Sequence, residues 1–189
     1  MLAHWLAFAG ASAVLLLIPG PTVLMVISHA LVYGRRAAGA TVAGVVLGDF
    51  VAMTASLAGL GAVLAAWPTL FTALRWAGAA YLVWLGVAVW RARIAPAEVQ
   101  PEGRAPKLLL HAFAVTALNP KSIVFFVAFV PQFLQRTVPL LPQFLLFEAT
   151  FLALAALNAG IYAGAAGTAA RAIARRRGSA RSLAPVVRR

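Results

Sequence analysis

The 189-residue sequence contains no cysteine, which rules out disulfides, thiolate metal sites and cysteine nucleophiles. Charge is scarce: residues of either sign make up 11% of the chain, and only four are acidic. No Lys or Arg precedes Arg35, so the basic leader of a signal peptide is missing and the apolar start reads as a retained first helix. What fills the chain is apolar: 63% hydrophobic residues and a mean hydropathy of +0.91. A soluble domain averages about 45–50% apolar and about 25% charged residues. One water-soluble core cannot hide this surplus. Long uncharged runs read instead as transmembrane helices of roughly 20 residues each.

Five such runs predict an all-α, polytopic helical membrane protein with five transmembrane helices, at about residues 5–32, 40–66, 74–90, 108–133 and 140–166. Residues 1–166 are expected to form the transmembrane domain and 167–189 a basic tail. The longest joint, "RARIAPAEVQPEGRAPK", carries three prolines and two glutamates and reads as a solvated linker. The net charge of +12 is unevenly placed. Arg35 and Arg36 follow the first run, Arg91, Arg93, Arg104 and Lys107 the third, and Arg171, Arg175, Arg176, Arg177, Arg181, Arg188 and Arg189 the fifth. Only Arg136, with Arg75 near that surface, lies on the other side. By the positive-inside rule the N-terminus is outside and the tail cytoplasmic. The tail reads as an anchor on anionic lipid, at about 1 kcal/mol per basic residue. It has no folded module or interleaved aromatics, so no nucleic acid is expected as a partner.

Two of the runs are broken. Pro19, Gly20 and Pro21 lie at the heart of the first. Proline lacks an N–H and clashes with the carbonyl one turn earlier, so the carbonyls of Leu15 and Leu17 are freed. An unsatisfied backbone group in lipid costs several kcal/mol and is tolerated only against protein or a wet cavity. A simple kink is the plainer reading of one proline; two prolines around a glycine favour a site. The fourth run contains Asn119, Pro120 and Lys121. Pro120 frees the carbonyl of Thr116, and Asn119 can bond the opened backbone. Interrupted helices at matching places in two halves point to a transporter's central site. Opened ends offer N–H groups to a carboxylate and carbonyls to an ammonium group or cation.

Three charges fall well inside the runs, away from their ends. Asp49 lies ten residues past Gly39, about 15 Å deep at about 1.5 Å per residue. An acid there is by default a functional candidate, suited to carrying a proton; the alternative is a structural ion pair or an aspartate bonded to backbone N–H groups. Lys121 lies 13 residues beyond Leu108, about 20 Å along a helix. It is placed to bind a substrate carboxylate, to neutralise Asp49 or to snorkel towards the cytoplasm. Glu148 is nearer the outer surface, as a pathway carboxylate or an interfacial one. Small residues recur every fourth position in two stripes: Ala40, Gly44, Gly48, Ala52 and Ser56, then Ala156, Gly160, Gly164 and Thr168. Such stripes let helix backbones approach closely.

These residues resemble the LysE/RhtB family of bacterial amino-acid exporters. "IPGPTVLMVISHALVYGRRAAGATVAGVVLGD" is similar to its N-terminal signature, "WAGAAYLVWLG" to its third-helix motif and "ALNPKSIVFFVAFVPQF" to its fourth-helix motif. The resemblance implies efflux of an amino acid or close derivative across the bacterial inner membrane, driven by protons. It implies Pro19, Gly20, Pro21, Asn119, Pro120 and Lys121 as central elements, with Asp49 nearby. The family usually has six helices in two inverted groups of three, against five apolar runs here. A partner protomer of a homo-oligomer could cover the side this leaves open. The competing expectation is a truncated or non-transporting membrane subunit of the same family. An intramembrane enzyme is not expected: His4, His29 and His111 lie near predicted membrane surfaces, and Ser28 and His29 point to different helix faces. Neither cofactor nor metal is expected, since no ligand cluster is present.

Overall fold

The structure, a computed structural model, describes residues 1–66, 68–91, 104–135 and 137–182. Most of the long linker with Arg93, Arg136, and the end of the tail with Arg188 and Arg189 lie outside the described residues. The elements run α1 (Leu2–Leu17), α2 (Pro21–Ala66), α3 (Pro68–Arg91), α4 (Ala105–Ala117), α5 (Pro120–Ala128), a 3₁₀ turn (Val130–Phe133) and α6 (Leu140–Ser182). Among the described residues, Ala37–Gly59 of α2 and Leu140–Ala169 of α6 are each long and apolar enough to cross a membrane. So are two bent pairs, if each is one span: α1 with Pro21–Gly34, bent by 57°, and α4 with Pro120–Phe133, bent by 46°. The molecule is a helical polytopic membrane protein with both expected breaks in place.

Prolines punctuate the chain at helix starts. Pro21, Pro68 and Pro120 each open a helix, where the missing N–H has no intrahelical acceptor to lose and the fixed φ suits the first turn. The third run therefore starts at Pro68, earlier than its apolar pattern suggests. At the other end, α6 does not stop near Ala166 but continues as helix through Ser182. The helical part of α2 is interrupted at Gly34, with φ 75° and ψ −169°. That conformation is essentially restricted to glycine, and it folds Pro21–Gly34 back beside Ala37–Gly59.

Among the described residues the interior has two apolar clusters. One is bulky: Phe8, Met53, Phe125, Phe126, Phe147 and Phe151 come together from α1, α2, α5 and α6. Phe8 stacks on Phe147 with ring centroids 4.6 Å apart, and Phe126 meets Phe151 edge-on at 4.8 Å. The other is built from smaller side chains of α2, α4 and α6, among them Val26, Ala30, Val45, Ala112, Ala159 and Ala163. The helix breaks and the buried polar residues Asp49, Thr116, Asn119, Lys121 and Ser122 belong to neither cluster.

The small-residue stripe of α2 behaves as expected. A Cβ on Gly44 would run into the Leu109 carbonyl and the Ala112 methyl, and one on Gly48 would lie 2.8 Å from both the Phe113 carbonyl and Thr116 Cβ. Here α2 and α4 meet backbone to backbone. The stripe of α6 does not. Gly160 and Gly164 have nothing within 4 Å of an added Cβ. The face that packs is one residue earlier, at Ala155, Ala159 and Ala163.

Candidate functional site

An α-helix leaves its last four carbonyls without intrahelical donors. In the hydrocarbon core of a bilayer they must be met from within the protein. All four at the end of α1 are met by side chains from elsewhere. Lys121 Nζ donates to the carbonyls of Leu15 at 3.0 Å and Ile18 at 2.9 Å. Asn158 Nδ2 donates to Leu16 at 3.2 Å, and the Tyr162 hydroxyl to Leu17 at 3.3 Å. The carboxyl end of a helix carries partial negative charge, so an ammonium group is the fitting cap. Lys121 is 6% exposed; it does not snorkel but reaches across from the second break into the first. Gly20 lies against it: a Cβ there would be in ordinary contact with Nζ at 3.4 Å.

The second break is tied back in turn. Asn119 caps α5, its Oδ1 accepting from the Lys121 backbone N–H at 3.0 Å. Its Nδ2 donates to Thr22 Oγ1 at 3.1 Å, just past the first break. The Thr116 carbonyl freed by Pro120 accepts the Asn119 backbone N–H at 3.1 Å. Asp49, 2% exposed, faces this centre. Its carboxyl group lies beside Ser122 and Lys121 in one cavity lining, and Oδ1 has no hydrogen-bond partner. Thr22, Asp49, Asn119, Lys121, Ser122 and Asn158 line a cavity of about 30 Å³. A water needs about 10–15 Å³ by the same measure, so the space suits one or two waters and is too small for an amino acid.

The sequence-based candidates thus divide. Gly20, Asp49, Asn119 and Lys121 converge. The rings of Pro19, Pro21 and Pro120 are exposed, their part being to end one helix and start the next. Gly44 and Gly48 hold α2 against α4. Glu148 stands apart, accepting from Thr54 Oγ1 at 2.6 Å. Asn158, Tyr162 and Thr22 were not singled out in the sequence, although Asn158 is a polar residue in the middle of an apolar run. Asn158→Leu is expected to leave the Leu16 carbonyl unmet, at a cost of about 1–3 kcal/mol. Thermal unfolding of the purified variant checks this.

A separate polar chain joins the two arms of α2 to α4. Thr41 Oγ1 donates to the Ala37 carbonyl at 3.0 Å and lies 3.0 Å from His29 Nδ1. A hydroxyl has one proton, so it accepts from Nδ1–H. A neutral His29 then presents Nε2 as acceptor to His111 Nδ1, 3.4 Å away. Thr41→Val would strip the partner from buried Nδ1, and a stability loss of about 1–3 kcal/mol is expected, measurable by the same unfolding assay.

Paired helix breaks that share a buried lysine, amide and carboxylate define the class as a membrane transporter built on discontinuous helices. Residues 13–186 match the LysE type translocator family, and the chain belongs to that family. It is 38% identical over 148 residues to an uncharacterized membrane protein of Vibrio cholerae, covering 77% of this chain and 72% of the relative. It is 37% identical over 151 residues to the homoserine/homoserine lactone efflux protein of Salmonella typhi, with the same shares covered. A leucine efflux protein of Klebsiella pneumoniae is 30% identical over 134 residues, 69% of this chain and 63% of the relative. No solved structure matches the chain.

Proposed function

We propose that the protein is a secondary exporter that moves an amino acid or close derivative out of the cytoplasm, coupled to protons. The observation that carries this reading is the Lys121 ammonium resting on the Leu15 and Ile18 carbonyls. That carbonyl end binds an ammonium group, and the α-ammonium of an amino acid is a second one. Substrate would take the carbonyls as Lys121 withdraws, and the displaced charge would turn to Asp49, whose Oδ1 lacks a partner. A proton on Asp49 would weaken that attraction, which links proton transfer to the position of Lys121. Because the cavity is so small, the break must open for substrate to enter.

The membrane is proposed to be the bacterial inner membrane, with the N-terminus outside and the C-terminus in the cytoplasm. A tag at residue 189 is expected to be unreachable from outside intact cells. The function is tested in cells lacking their own exporters, loaded with mixed dipeptides and expressing this chain. Amino acids of one class are expected in the medium, with release slowed by an uncoupler. No release from correctly inserted protein would instead support the reading as a non-transporting family member.

A further inference from the structure

A groove of about 310 Å³ lies on the other side of the Lys121 side chain. It runs between α1, α3 and α5, walled by Leu15, Ile18, Leu82, Leu85, Phe125 and Phe129. Lys121 is its one charged lining residue, and Lys121 also lines the small polar cavity. Leu15 and Ile18 have a double part: their carbonyls hold the ammonium group, and both residues line the groove. An ammonium group bound at those carbonyls in place of Lys121 would therefore have its substituent beside an apolar wall. Gly10 also lines the groove, five residues before Leu15, about 7.5 Å further along α1. The volume falls at the lower end of small-molecule sites, roughly 300–1,000 Å³.

We infer that this groove receives the side chain of the transported amino acid, and that the protein selects amino acids with sizeable apolar side chains. This rests on the exporter reading above. Selectivity is assigned to Gly10 and Gly86, the glycines of the lining. An added Cβ at either meets nothing within 4 Å, so a larger residue projects into open space without disturbing a helix contact. Val14, 62% exposed, also lines the groove, so the groove is within reach of lipid, and an acyl chain is the rival occupant.

The test compares leucine and alanine in wild type, Gly86→Leu and Gly10→Leu, with Gly59→Leu as a control glycine that lines none of these cavities. Wild type is expected to release leucine faster than alanine. Gly86→Leu should lower leucine release about tenfold or more while alanine changes little, as expected for filling an apolar pocket. Equal loss of both substrates, or loss of neither, would overturn the assignment and leave the groove to lipid. A second measurement separates this from failure of the exporter reading. Leucine, more than alanine, should raise the unfolding temperature of purified wild type, since a ligand stabilises the state it binds, and should not do so for Gly86→Leu. A leucine-specific shift without any efflux would retain the groove and reject export. No shift together with no efflux would reject both.

Discussion

Lys121→Met should reduce amino-acid release to the background of cells without the protein and lower the stability of the purified chain by about 3–5 kcal/mol. The stability loss follows from what is left behind. Two carbonyls at the end of α1 lose their donor, and Asp49 loses the cation that shares its cavity. Each carbonyl left without its donor costs about 1–3 kcal/mol, and the Asp49 carboxyl group stays buried with no cation near it. The double variant Asp49→Asn with Lys121→Met removes that stranded charge. It should unfold at a higher temperature than Lys121→Met alone, yet remain without transport. A double variant no more stable than the single one would show that the two charges do not depend on each other.

Gly48→Leu should prevent the helices from assembling. The atoms an added Cβ would meet at 2.8 Å are the Phe113 carbonyl and Thr116 Cβ, with the Ala117 backbone nitrogen at 3.0 Å. Two of the three are backbone, so no flexible side chain can give way, and α2 must lift off α4. Even Gly48→Ala is expected to cost about 1–3 kcal/mol, in the range of overpacked cores. Transport should fall further than stability suggests. Asp49 is the next residue, and displacing α2 draws it from Ser122 and Lys121. Gly160→Ala is the control: its added methyl meets nothing within 4 Å, and a change within about 0.5 kcal/mol is expected. Size-exclusion profiles and unfolding temperatures of the purified variants decide both.

The breaks and the buried charges were legible because they violate local rules. Proline in an apolar run, and lysine or aspartate at membrane depth, need an explanation that the sequence itself poses. The answers were harder to read. The Leu15 carbonyl is capped by a residue 106 positions away, and the Leu16 carbonyl by one 142 positions away; nothing in the local pattern names the partner of a freed carbonyl. Gln143 was missed for the same reason. It is fully buried, accepts the Gln135 backbone N–H and donates to the Gln135 and Val138 carbonyls, holding the turn before α6. The α6 stripe was misplaced by one residue because alanines and glycines line both faces of that helix. A four-residue repeat also drifts around a helix of about 3.6 residues per turn. Glu148, read as either a pathway carboxylate or an interfacial one, accepts from Thr54, 94 positions away, and stands apart from the centre.

The most direct test is exchange by the purified protein in liposomes. Vesicles loaded with unlabelled amino acids are given the same mixture labelled outside, and wild type is compared with Lys121→Met at equal, verified incorporation. Uptake of label by wild type and none by Lys121→Met is the expected result, since the lysine that bridges the two breaks is the part that must move. Equal exchange by the two proteins would contradict the account, and would place the pathway somewhere other than the paired breaks.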